Sequence, residues 1–427
     1  MIYKERKIIL PVIIGILIFS INFPINSFGT TSINDLGTLG RGTISTPSAI
    51  NESGQVIGNS RISSGEQHAF LWDSVNRMQD LGTLGGTFSI ERAINESGQV
   101  IGNSRISSGE QHAFVWDSVN GMQDLGTLGS TFSSAIAINE SGQVIGNSLT
   151  SSVKQHAFLW DSVNGMQDLG TLGGTFSSAI AINESGQVIG SSKTPYGVAQ
   201  HAFVWDNVNG MQDLDTLGGT FSIALAINEA GQVIGFSRIS SGEQHAFVWD
   251  SVNGMQDLGT LGGTFSIAIA INEAGQVIGF SRISSGEQHA FLWDSVNGMR
   301  DLGTLGGTFS IPRAINESGQ VIGFSLSSFG VEQHAFLWDS VNGMQDLGTL
   351  GGTFSNARAI NDSGQVIGNS RISTGEQHAF VWDSVNGMHD VGTLRGIFSS
   401  AIAINEAGQV IGNSQTSSGE QHAFLRD

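Results

Sequence analysis

The heptapeptide Gln-His-Ala-Phe-Val-Trp-Asp, residues 111–117, returns nine times almost unchanged, and it constrains the fold more than any other feature of the chain. Its histidine falls at His68, His112, His156, His201, His245, His289, His334, His378 and His422, a spacing of 44 residues that twice becomes 45. A period of that length marks a repeat architecture, in which each unit buries its apolar faces only against its neighbours. Alternation puts His112, Phe114 and Trp116 on one side of an extended strand and Ala113 and Val115 on the other. The same signature is carried by His68, Phe70 and Trp72 and by His156, Phe158 and Trp160. Both sides are apolar, so the strand is expected to lie between two covered faces.

The second copy reads as four strands. Residues 91–95 form a short first strand, and Glu96-Ser97-Gly98 a tight turn in which Gly98 supplies a positive φ. Residues 99–104 form the second strand, 105–110 a polar loop and 111–117 the third strand. Asn120-Gly121 is the strongest hairpin signal, 122–128 the fourth strand, and 129–133 the connection to the next copy. Four antiparallel strands in a meander, joined by long connections, describe a β-propeller blade, and WD-type blades of about 40 to 45 residues likewise close their third strand on Trp-Asp. The small inward residues of Ala135-Ile136-Ala137-Ile138 suit an innermost strand, where blades crowd the axis. The expected fold class is all-β: a propeller of nine four-stranded blades, with an open β-solenoid as its rival. Residues 33–39 look like a fourth strand without the other three, and 401–427 supply three strands without a fourth. Pairing the two ends would complete the ninth blade with a ladder that resists opening.

Composition supports this reading. With 59 Gly, only 13% charged residues and abundant β-formers, the chain favours strands and turns. The net charge of −19 argues against nucleic acid and anionic lipid surfaces as partners. Without cysteine there is no disulfide to staple the fold. Residues 1–29 read as a secretory signal: Lys4, Arg6 and Lys7, then an aliphatic run from Ile8 to Phe19, then small residues at Ser27 and Gly29. An uncleaved anchor is the alternative, though Pro11, Asn22 and Pro24 make that span short and interrupted. This division leaves residues 30–427 as the propeller, expected as a monomer with no membrane span, outside the cell, at its surface or in the periplasm.

Three segments, Ala93 to Gly102, His112 to Trp116 and Asp80 to Gly86, resemble the HAF family of extracellular repeats, and the resemblance extends from about residue 33 to the end. It implies a secreted or surface-exposed repeat protein and brings no catalytic residue with it. The first copy departs from the pattern at Gly40-Arg41-Gly42-Thr43-Ile44, and the last carries Arg426 where the others have Trp.

Copies differ mainly between the second and third strands. Lys154, Lys193, Tyr196, Arg238, Arg282 and Phe329 are the candidate binding residues of that face. Tyr196 and Phe329 are aromatic groups in polar loops, able to stack on a sugar or enter a partner's surface, against the alternative of drift in a solvated loop. The opposite face gathers carboxylates such as Glu52, Glu96, Asp73 and Asp117, which lack the alternating ligands of a calcium loop and read as solubilising turn residues. The repeat histidines stand one per copy with no second His or Cys beside them, which fits a hydrogen-bonded sheet residue better than a zinc ligand. A hydrolase needs unlike groups gathered in one cleft, and here every Ser, His and acid candidate is replicated by the repeat. No catalytic residue, metal or cofactor is therefore assigned. The expected function is a non-enzymatic multivalent scaffold for a polysaccharide or a repetitive surface protein. A lectin with one weak site per blade comes second, and a hydrolase using the central channel third.

Overall fold

The computed structural model describes residues 33–427 apart from Val198, Phe329 and Val331; the expected signal segment, residues 1–29, lies outside the described residues. Among the described residues, 36 strands group as nine antiparallel blades of four, and the one helical element is a 3-10 turn at Pro195–Gly197.

Blade 2 shows the unit: Gly85–Ile94, Val100–Ile106, Gln111–Asp117 and Gly121–Asp124. Ser104 lies opposite His112, Gly102 opposite Phe114 and Val100 opposite Trp116, while Trp116 faces Met122 on the fourth strand. Gly98 takes φ 79° and donates its N–H to the Asn95 carbonyl at 3.0 Å, so the first hairpin closes as the sequence suggests. Gly102 answers a different need. A Cβ there would collide with the Ile90 carbonyl and sit 2.8 Å from the Phe114 ring, so only glycine lets that aromatic lie across the second strand.

Element limits differ from the sequence reading in three places. The first strand begins at Gly85 instead of residue 91, because the Gly-Gly-Thr-Phe stretch is a seam and not a free connection. Phe88 bridges in parallel to Gln67 of the preceding blade, and Gly85, at φ 97°, pairs with Ile106. The fourth strand of this blade stops at Asp124, whose carboxylate accepts the Gly126 N–H at 2.7 Å and turns the chain at a glycine with φ 74°. Arg105, expected to open the loop, instead extends the second strand opposite Gln111, and Lys193, Arg238 and Arg282 do the same opposite Gln200, Gln244 and Gln288.

The core lies in the seams between blades. Val100, Phe114 and Trp116 of blade 2 pack on Ile57, Ala69, Leu71 and Leu81 of blade 1. The other side of the same strands, Ile101, Ala113 and Val115, meets Val144 and Phe158 of blade 3. Each seam thus removes a full apolar face from water, the dominant favourable term in the absence of any disulfide.

The ring closes. Asn34–Gly37 pairs antiparallel with Gln421–Arg426, completing the blade begun by Arg395–Ile404 and Val410–Thr416. Leu36, Leu39, Ile411, Ala423 and Leu425 pack there against Val56, Phe70 and Trp72 of blade 1. The closing seam also repeats the polar chemistry of an internal one. The Ala423 N–H donates to Ser45 Oγ at 2.9 Å and that hydroxyl to the Gly37 carbonyl at 2.6 Å, as Ala69, Ser89 and Gly82 do at 2.9 and 2.6 Å. A solenoid would leave these end faces unpaired.

Candidate functional site

The histidines anchor the blades. His112 Nδ1 meets the Asp124 carboxylate at 2.8 Å, and all nine repeat histidines make this contact, including His422 to Asp35 across the closure at 2.9 Å. The partner Asp, twelve residues on, was legible in the sequence as the invariant Asp of Asp-Leu-Gly but not as the histidine's partner. The serine facing His112 is committed elsewhere: Ser104 Oγ donates to the Phe88 carbonyl at 2.9 Å.

The carboxylates of the turn face also hold structure. The Glu96 N–H donates to the Glu140 carboxylate at 2.9 Å, and the Asn95 amide donates to the Asn139 carbonyl at 3.2 Å. This relay runs from blade to blade until Asn405 reaches the Asn51 carbonyl at 3.1 Å and the Glu406 N–H reaches Glu52 at 2.9 Å. These carboxylates therefore lace the inner rim together and are more than solubilising groups. At the outer corner Asp161 closes its own hairpin. The Asn164 side chain, working against partial burial and helped by the backbone N–H groups of Asn164 and Val163, holds its carboxyl below the usual range.

On the opposite face, neighbouring blades leave a groove at the seam. Between blades 1 and 2 it has a volume of about 520 Å³ and is lined by Arg61, Glu66, Gln67, Phe88, Arg105 and Gln111. Between blades 8 and 9 the corresponding positions, Glu376, Gln377, Phe398, Gln415 and Gln421, line one of about 300 Å³. Of the candidate binding residues, Arg238 and Arg282 are exposed at the strand position that Arg105 holds in the groove, Lys193 is half-buried there, and Lys154 is exposed on its loop. Phe329 and the side chain of Tyr196 lie outside the described residues. The structure thus places the strand-end cations Lys193, Arg238 and Arg282 at equivalent positions of three successive blades.

One further set escaped the sequence reading. Each first strand carries a bulge, which in blade 2 skips Arg92 between Glu91 and Ala93. Glu91 and Ile94 turn toward blade 1 and Ala93 toward blade 3, leaving Arg92 exposed to the axis, where neighbouring first strands meet in a closed ring. The same bulge in the other blades turns inward residues that change from copy to copy more than the rest of the strand. Ser48, Arg313 and Arg358 are exposed. Ile136, Ile180, Leu225, Ile269 and Ile402 are half-buried. Strict alternation hides this column; the signal that was present is the interruption of Ala-Ile-Ala-Ile by arginine at one fixed position of three copies.

Beside Arg92, Glu91 is itself buried in the seam with blade 1, where six other blades carry alanine. Burial pushes its carboxyl up to about 7, only partly offset by hydrogen bonds from its own backbone, Ser48 and Asn59. Oε1 is 3.4 Å from the Asn59 amide, and Oε2 has no partner.

No family model matches the chain, and no curated protein matches it. Solved structures do. It is similar to dipeptidyl peptidase 4 of Porphyromonas gingivalis, at 8% identity and a TM-score of 0.51, covering 91% of this chain and 59% of that one. A puromycin hydrolase mutant is similar at 12% identity and a TM-score of 0.41, covering 79% of this chain and 58% of that one, so the chain spans less than two thirds of either enzyme. The β-propeller domain of the Trilobed protease from Pyrococcus furiosus is similar at 10% identity and a TM-score of 0.43, covering 83% of this chain and 99% of that one. At such identities the likeness is one of fold alone, and the nine four-stranded blades closed into a ring are themselves a β-propeller.

Proposed function

We propose that the protein is an exported, non-enzymatic docking scaffold that presents equivalent seam grooves around a ring to a multivalent partner, a polysaccharide or a repetitive surface protein. The observation that carries this reading is the recurrence of one groove, built from the same strand positions, at two separate seams. Weak contacts of that kind add by avidity, commonly by about 10² to 10⁴ in apparent affinity. The resemblance to the HAF repeats and the apolar leader support an extracellular address. Mass spectrometry of the first residue of protein recovered from culture medium tests that address, and retention of residues 1–29 in the cell would count against it.

The scaffold reading is tested by binding to immobilised polysaccharides and surface proteins. Replacing Arg105 and Gln111 by alanine, one seam only, is expected to lower apparent affinity less than threefold; the corresponding change at four seams lowers it about a hundredfold. A single seam that abolishes binding would replace the scaffold with a one-site receptor. A lectin is the second reading, favoured by the grouping of Phe88 with planar polar side chains in the groove between blades 1 and 2. A glycan array separates the two, and turnover of generic glycoside or ester substrates would revive the hydrolase.

A further inference from the structure

The inner wall of the ring has two unlike halves. Blades 3 to 6 present a continuous aliphatic arc, Ile136, Ile180, Leu225 and Ile269, at the bulge position. Across the ring, blades 7, 8 and 2 present Arg313, Arg358 and Arg92 at the same level, with Ile402 of blade 9 and Ser48 of blade 1 between the last two. None of these three arginines forms an ion pair among the described residues. Their stems are nonetheless held: Arg358 Nε donates to the Ile402 carbonyl at 3.1 Å, and the Arg313 guanidinium lies 5.4 Å from the Phe324 ring centre. The remaining guanidinium donors stay available for carboxylate oxygens. In a chain of net charge −19, three cations without an ion-pair partner within 4 Å among the described residues form, at one level of an inner wall, a local site for negative charge.

We propose that this channel is a single-copy site for a polypeptide segment that carries acidic side chains on one side and aliphatic side chains on the other. The two arcs face each other, as do the two sides of an extended chain with its alternating side chains. Neighbouring first strands meet all the way round the ring, so their bulge residues line one central channel. An aliphatic arc removes aliphatic side chains from water, and the bulge position itself carries no aromatic residue in any blade. The segment enters from the groove face, because the opposite mouth is rimmed by the carboxylates of Glu52, Glu96 and their equivalents. This site does not rest on the multivalent reading of the seams.

The test uses the full chain and the fluorescence anisotropy of a labelled twelve-residue peptide alternating Glu and Val. Saturable binding that weakens with salt is expected, with no binding of the Lys-Val counterpart. Arg313→Gln with Arg358→Gln should weaken binding at least tenfold while the circular dichroism spectrum and melting midpoint stay put, since both side chains are exposed. Ile180→Ser with Leu225→Ser, which copies the serine that blade 1 carries as Ser48, should weaken it about tenfold as well. The proposal is overturned if the Glu-Val peptide fails to bind, if either pair of substitutions leaves binding unchanged, or if polyglutamate or dextran sulfate binds as tightly as the alternating peptide. It is also overturned if the loss comes from Arg61→Gln with Arg105→Gln, which would move the peptide to a seam groove.

Discussion

Among the described residues, four other than glycine hold a left-handed backbone, and each stands where the repeat elsewhere has glycine: Arg77 (φ 63°), Val153 (φ 58°), Asp215 (φ 66°) and Arg395 (φ 72°). A side chain in that region costs about 1 to 2 kcal/mol, most for a β-branched residue, and Asp215 recovers part of it by accepting the Thr216 N–H at 2.8 Å. Val153→Gly is therefore expected to stabilise the protein by about 1 kcal/mol and Asp215→Gly by less, an order that denaturant midpoints can check. Glu91 makes the opposite case, a repeat position made worse by a charge. Its pKa is raised from 4.5 to about 7 in the folded protein, so burial favours the neutral acid. Its contribution is complete below pH 4.5 and is lost as pH rises through 7, a swing of about 3 kcal/mol. Glu91→Ala should then flatten stability between pH 5 and pH 8 relative to the parent chain. Parallel pH profiles for the two proteins would refute the assignment.

At the scale of the strand and the hairpin, much of a blade could be read from spacing and the rest could not. The third strand was legible because Phe114 and Ala113 are buried on opposite faces, the one pattern that alternation detects without ambiguity. The extra length of the first strand was hidden because Gly85, Gly86 and Thr87 read as a connection when considered alone; their partners belong to the preceding blade and to the far end of the second strand. The inward arginines were hidden for a related reason, since a bulge resets the alternation by one residue and its place follows from pairing with the second strand. The closing hairpins give a sharper check. Asn139 is buried, donates to the Gln143 side chain at 2.9 Å and the Asn183 carbonyl at 3.2 Å, and accepts the Gln143 N–H at 2.9 Å. Asn139→Ala should cost about 1 to 3 kcal/mol, and Asn139→Asp, which keeps the acceptor but loses the donor, should not restore it. If calorimetry finds either variant as stable as the parent, the Asn relay is not what ties one blade to the next.

For the whole molecule the question is what fixes the number of blades. Every seam, the closing one included, uses the same contacts: Ala N–H to Ser, Asn to the next Asn carbonyl, and Phe over an Ile-Ala-Leu face. Nothing in a single seam counts to nine, and rings of four to eight blades are the common range, so small changes in the angle between blades can be shared around the ring. Completing the sheet with the Asn34–Gly37 strand is a different matter, because without it Gln421–Arg426 has an unpaired edge and Leu425 loses its cover. Two deletions of similar size should therefore behave differently. Removing residues 140–183, one full period, joins Asn139 directly to Glu184 and leaves both ends able to pair, so a soluble eight-bladed monomer with a cooperative thermal transition is expected. Stopping the chain after Val381 removes the partner of the N-terminal strand and exposes the seam faces of blades 1 and 8, so that product is expected to aggregate. Size-exclusion chromatography and thermal melts of the two proteins decide it: if the chain cut at Val381 is as soluble and cooperative as the one lacking a period, closure contributes little and the stability of the ring lies in its individual seams.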